Sequence, residues 1–147
     1  MNSGIKVLLV DDDEVIRIYF RDILWIHGLD QRYSLTTVDS IDKAKKIIND
    51  PESRPDIVFL DLVLPFEKEG RTMIGPEAGL DLLRWIKSSA ELKYIKVIIF
   101  SGHTEKSLKS KAKELGADDY LVKGENMPRD IVDFIEQKLG AGKNSGK

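Results

Sequence analysis

No cysteine occurs among the 147 residues, so disulfides, thiolate metal ligands and thiol nucleophiles are excluded, as a reducing compartment allows. A dominant charge is missing too. Lys and Arg number 23 against 25 Asp and Glu, a formal net charge of -2, which supplies no electrostatic reason to expect nucleic acid or a membrane surface as partner. Apolar runs stop after about four or five residues, far short of the roughly 20 that a membrane helix needs. The first of them ends in three consecutive aspartates, unlike a signal peptide. The expectation is a soluble cytoplasmic protein. What remains is 41% hydrophobic and 33% charged, enough for one ordinary domain around one core.

Strand-like and helix-like patterns alternate along that domain. The runs Val7–Val10, Ile57–Leu60, Val97–Phe100 and Tyr120–Val122 read as buried parallel strands, because they are continuously apolar rather than alternating. A weaker, more polar strand near Leu35–Val38 suits a sheet edge. Between them, apolar residues recur at helical spacing. Val15, Ile16, Tyr19, Phe20, Ile23 and Leu24 mark a first helix that Gly28 can end, and Ile41, Ala44, Ile47 and Ile48 mark a second, stopped near Asn49-Asp50-Pro51. Leu80, Leu82, Leu83 and Ile86 mark a third with Trp85 on its flank, and Leu108, Ala112 and Leu115 a fourth ending at Gly116. Ile131, Val132, Ile135 and Leu139 mark a last helix, with Pro128 in its first turn. Five βα units imply an α/β domain over 5–139: a parallel sheet with helices on both faces and right-handed crossovers. The Gly/Lys/Ser-rich tail 140–147 reads as disordered.

The connection from Asp61 to Gly79 is longer than the usual two to six residues and holds charge and glycine. A solvated surface insertion is one reading of it; a lid or partner-contact loop is the other, since it begins four residues after Asp61.

The polar residues that end the strands carry the chemistry. Val7–Val10 runs into Asp11, Asp12 and Asp13; Ile57–Leu60 into Asp61; Val97–Phe100 into Ser101; Tyr120–Val122 into Lys123. In open α/β sheets ligands bind beyond the carboxyl ends of the strands. Clustered carboxylates raise one another's pKa or recruit a cation, and Mg2+ takes one or two carboxylates plus phosphate oxygens and water. An aspartate beside that ion is a plausible nucleophile towards phosphorus. The ion and a cation such as Lys123 would neutralise the transferring phosphoryl group, while a hydroxyl such as Ser101 donates to a further oxygen. Each piece has a plainer reading: a solvated lysine, a serine cap, aspartates capping a helix. Their recurrence at four successive strand ends favours the common site.

Those motifs resemble the response-regulator receiver domains of two-component signalling, over about Ile5 to Leu139. The resemblance implies a flavodoxin-like (βα)5 fold with sheet order 2-1-3-4-5. VLLVDDD resembles the acidic pair, so Asp12 would serve Mg2+ (or Mn2+) directly and Asp11 through water, with Asp13 a cap or outer group. DIVFLDLVLP resembles the phosphoacceptor strand, which makes Asp61 the phosphorylated residue and metal ligand and gives the Val63 backbone carbonyl a ligand role. VIIFSG resembles the switch-hydroxyl strand, with Ser101. GADDYLVK resembles the last strand, with Lys123 as the family's lysine and Tyr120 at the switch-aromatic position. A sensor histidine kinase or phosphotransfer protein would supply the phosphoryl group. Phosphorylation would then repack the face of the fourth helix, fifth strand and fifth helix, which is also open to homodimerisation. With no output domain after Leu139, the output would be binding of an unknown downstream protein or phosphorelay, without nucleic acid or membrane.

Some positions depart from that pattern. Gly124 follows Lys123 where the family usually has proline, and the Asp61–Gly79 connection is about ten residues longer than usual. Val63 and His103 stand where the family tunes phosphoryl lifetime; Val63 offers no polar group there, and His103 reads as an exposed loop residue. A phosphorylation-independent pseudo-receiver is one alternative, although no pocket residue is missing. A haloacid-dehalogenase-like phosphatase with Asp11 as nucleophile is another, but its acidic pair after the lysine is absent. A nucleotide binder would need phosphate-binding donors, not three carboxylates, after the first strand.

Overall fold

The computed structural model describes residues 4–26, 28, 31–124, 131, 133 and 135–137. Five strands form one parallel sheet: β1 (Ile5–Val10), β2 (Tyr33–Val38), β3 (Ile57–Leu60), β6 (Lys96–Ser101) and β7 (Asp119–Val122), in the order β2-β1-β3-β6-β7. The helices are α1 (Glu14–Ile26), α2 (Ile41–Asn49), α3 (Glu77–Ser88) and α4 (Lys106–Glu114). A separate antiparallel pair, β4 (Leu64–Lys68) and β5 (Arg71–Gly75), lies between β3 and α3. The architecture is the parallel α/β sheet that the strand-and-helix alternation implies, in the flavodoxin-like form that the resemblance implies.

The apolar runs form the inner strands because both faces are covered. Alternate residues Leu8, Val10, Val58, Leu60, Val97 and Ile99 meet α2, α3 and α4 on one side. Val7, Leu9, Ile57, Phe59, Ile98 and Phe100 meet α1, Ile131 and Ile135 on the other. Phe20 of α1 packs edge-on against Phe59 and Phe100, with ring centroids 4.9 and 5.4 Å apart. β2 is the edge strand, as its polarity suggests, but begins at Tyr33, two residues before the apolar-polar pattern becomes readable.

The helix boundaries follow local chemistry. Gly28, at φ +69°, donates its N–H to the Trp25 carbonyl just past α1, and Ser40 caps α2 by accepting the Lys43 N–H. α4 closes ahead of Gly116 at φ +105°. Trp85 is half-buried on the flank of α3. Val15 corrects the expected α1 face: Phe20, Ile23 and Leu24 are buried and Ile16 packs beside them, but Val15, at the margin of that stripe, is 71% exposed. Pro128, Val132, Leu139 and the tail 140–147 fall outside the described residues, and with them the expected end of the domain.

The insertion is a β-hairpin. Phe66 pairs with Met73 and Pro65 with Ile74 across a turn at Glu69 (φ +52°) and Gly70 (φ +76°). The chain then enters α3 at close quarters. A Cβ on Gly79 would lie 2.8 Å from the Leu62 carbonyl oxygen and 3.0 Å from its Cα, so only glycine lets α3 sit against the residue after Asp61.

Candidate functional site

Strand register brings the polar residues together. Val10 lies opposite Leu60 and Leu60 opposite Ile99, so Asp11 and Asp61 leave the sheet side by side. The Asp61 N–H donates to the Val10 carbonyl at 3.0 Å, and the Lys123 N–H to the Ser101 carbonyl at 2.9 Å, each extending its ladder by one rung. The continuously apolar strands thereby deliver carboxylates, hydroxyl and ammonium to one end of the sheet.

Asp11, Asp12 and Asp61 each offer a carboxylate oxygen within 4.8 Å of the others. Asp11 and Asp61 are buried, whereas Asp12 faces solvent. The Lys123 ammonium sits between the two buried acids, 2.7 Å from Asp11 Oδ2 and 3.1 Å from Asp61 Oδ2. Only the second contact has hydrogen-bond geometry; Asp11 Oδ2 is buried without an aligned donor. Three clustered carboxylates offer more hard oxygen donors than a single ammonium can engage, which suits a divalent cation. The donor set therefore fits a metal such as Mg2+ or Mn2+.

Burial sets the electrostatics. It pushes the Asp61 carboxyl up from its ordinary 3.8 to about 6, opposed by the charge of Lys123 and reinforced by that of Asp11. Asp11 is raised for the same reason, with Lys123 opposing. Burial alone would draw Lys123 down, but its contacts with Asp11 and Asp61 outweigh that and hold it above its ordinary value. Burial thus disfavours the charged forms of Asp11 and Asp61, a cost that a bound cation would offset.

The remaining residues tie the loops down. Asp11 Oδ1 accepts the Asp13 N–H at 2.9 Å, and Asp61 Oδ1 the Val63 N–H at 3.2 Å. The Asp13 carboxylate accepts the Val15 N–H at 2.9 Å, so Asp13 caps α1. Ser101 is buried, and its Oγ accepts the His103 N–H at 3.1 Å. The Tyr120 hydroxyl donates to the His103 carbonyl at 2.7 Å. His103 itself is exposed, its ring 3.6 Å from the Glu105 carboxylate. Gly124 takes φ +87°, a left-handed conformation that turns the chain after Lys123. Arg17 is an addition that the sequence did not signal. It reaches back one and a half turns of α1 to donate to the Asp11 carbonyl at 2.8 Å, fixing the acidic loop.

Comparison with known proteins agrees with this geometry. Residues 7–136 match the response regulator receiver domain, and the chain belongs to that family. The polar-differentiation response regulator DivK of Brucella anthropi is 26% identical over 135 residues, covering 92% of this chain and 96% of the relative. A CheY-like receiver domain protein from Methanospirillum hungatei superposes with a TM-score of 0.73 at 24% identity, covering 97% and 99% of the two chains. The phosphorylated cyanobacterial phytochrome response regulator RcpA gives 0.71 at 25% identity, covering 92% and 93%. This is a receiver domain of two-component signalling. None of its helices described here is long and apolar enough to cross a membrane.

Proposed function

We propose that this receiver accepts a phosphoryl group on Asp61 from a histidine kinase or phosphotransfer protein, and signals by a conformational switch that alters protein binding. The observation that carries the reading is the Lys123 ammonium lodged between two buried carboxylates, with a third in reach. Asp11, Asp12, Asp61 and the Val63 carbonyl would hold Mg2+ or Mn2+; when bound, the ion supplies charge neutralisation to the phosphoryl oxygens. RcpA, a relative in fold, has been seen phosphorylated.

In the transfer an Asp61 carboxylate oxygen forms the new P–O bond as the donor's P–N bond breaks, and the donor imidazole leaves with the electron pair and takes up a proton. Asp61 must be ionised to attack, and with a pKa of about 6 it is mostly so at neutral pH. Lys123 faces the developing charge. Ser101 Oγ accepts the His103 N–H, and its hydroxyl hydrogen would turn to a phosphoryl oxygen. His103 then links pocket to surface through its backbone: its N–H holds Ser101 and its carbonyl holds Tyr120. Movement of Ser101 towards phosphate releases that N–H, shifts the loop and frees the Tyr120 hydroxyl to turn inward.

The phosphatase alternative needs Asp13 as an acid beside Asp11, yet the Asp13 carboxylate caps α1. The test is intact mass after incubation with acetyl phosphate and Mg2+. One added phosphoryl group, absent with EDTA and in Asp61→Asn, supports the proposal. No uptake, or uptake unaffected by Asp61→Asn, overturns it.

A further inference from the structure

Both outer edges of the hairpin inserted between Asp61 and α3 are unpaired among the described residues, and that of β4 faces a cleft. β4 pairs with β5 alone, and among the described residues no backbone hydrogen bond reaches its other edge. That edge borders an open cleft of about 540 Å³ between the hairpin and the N-terminal ends of α2 and α3. The cleft is lined by Pro65, Phe66, Glu67 and Lys68 and by no residue of β5. Successive side chains of a strand point to opposite faces, so four consecutive lining residues mean that the cleft runs along the edge of β4. An unpaired edge is a template for a further strand.

The opposite wall carries the specificity. Asp39, Asp42, Glu77 and Asp81 line it with Lys45, and Glu67 and Lys68 add one charge of each sign, five carboxylates to two ammonium groups. Asp39 and Asp81 are engaged by Lys43 and Arg84 at 2.9 and 3.2 Å, but Asp42 and Glu77 have no ion pair among the described residues. Ile41, Phe66 and Ala78 give the cleft an apolar floor. A ligand of negative charge is repelled here, and a purely apolar one leaves the carboxylates unmatched.

We infer that this cleft binds an extended, lysine- or arginine-bearing segment of a partner protein, added as a third strand along β4 with its basic row facing Asp42 and Glu77. Main-chain bonds to the edge would give affinity and the alternating side chains specificity. Pro65, which has no N–H to give, and charged Lys68 bracket the edge, so the paired stretch is short and indiscriminate strand addition is discouraged. The cleft uses none of the residues of the acidic pocket, so its binding can be tested apart from phosphoacceptance by Asp61.

The experiment is fluorescence anisotropy with the intact protein and a labelled short peptide alternating lysine and valine. The same peptide with glutamate for lysine is the first control. The others are two versions N-methylated on one or the other alternate set of amides, since alternate N–H groups of a strand point to opposite sides. Support is saturable binding of the lysine peptide, lost about tenfold or more in Asp42→Lys/Glu77→Lys and partly in Asp42→Asn/Glu77→Gln. Only one of the two methylated peptides should lose binding. Circular dichroism and melting confirm that the variants are folded, and the methylated peptides test the edge without altering the protein. The inference is overturned by no binding, by equal binding of the glutamate peptide, or by indifference to both methylation patterns. It is overturned too if sedimentation shows a dimer that the charge reversal dissolves while no peptide binds, because a second copy would then be the occupant.

Discussion

Asp61→Asn should make the metal-free protein more stable, although it removes the presumed phosphoacceptor. The Asp61 carboxyl is 6% exposed, and its pKa is lifted from 3.8 to about 6, chiefly by burial. A group whose pKa is higher folded than unfolded opposes folding once it ionises. Below pH 3.8 the side chain is neutral in both states and costs nothing. Between 3.8 and 6 the unfolded chain ionises first and the penalty grows; above 6 it is complete. The full displacement is worth about 3 kcal/mol. The attraction of Lys123 is already inside that balance, as the opposing influence on the same carboxyl. Asparagine escapes the penalty, so at pH 7.5 in EDTA the variant should gain about 3 kcal/mol, or about 6–12 °C in melting temperature for a domain of this size. Urea unfolding of both proteins from pH 4 to 8 gives the difference directly, because carboxylates remote from the pocket cancel. The gap should be near zero at pH 4 and widest above pH 7. A variant less stable than the parent at pH 7.5, or a gap independent of pH, would refute the electrostatic account.

Metal should close most of that gap. Mg2+ at about 100 times its dissociation constant would stabilise the parent by about 2.7 kcal/mol and Asp61→Asn by much less, read as the shift in urea midpoint. Lys123→Met leaves Asp11 and Asp61 facing each other without their shared cation, and should destabilise by about 2–3 kcal/mol at pH 7.5. The loss should shrink towards pH 4, and calorimetric titration should show Mg2+ binding retained. Gly79→Ala drives a Cβ to 2.8 Å from the Leu62 carbonyl and should cost about 1–3 kcal/mol by chemical denaturation, at all pH values alike.

Much of this was readable from the chain because buried parallel strands leave a strong signature. Val7–Val10, Ile57–Leu60 and Val97–Phe100 are apolar on both faces, and the residue after each must lie at the same end of the sheet. That is why the acids, Ser101 and Lys123 could be gathered into one pocket from sequence. β2 was harder: as an edge strand it alternates exposed Ser34 and Thr36 with more buried residues, and its first two residues were missed. The hairpin was not legible. Its strands contain Pro65 and the charged pair Glu67-Lys68, and its turn places Glu69 at φ +52°, where asparagine, aspartate or glycine would signal a hairpin. Val15 obeyed helical spacing yet faces solvent, because periodicity marks an apolar stripe without saying how wide a part of it the sheet covers. Arg17 could not have been foreseen, since a guanidinium reaching a backbone carbonyl leaves no mark on composition or period.

The most direct measurement of the central claim is chemical location of the phosphoryl group. An acyl phosphate is reduced by borohydride to the alcohol, so phosphorylated aspartate becomes homoserine and can be found by peptide sequencing in the mass spectrometer. After treatment with acetyl phosphate and Mg2+, homoserine should appear at position 61 and nowhere else. Homoserine at Asp11, Asp12 or Asp13 with position 61 intact would contradict the assignment, as would a phosphoryl group that borohydride leaves in place.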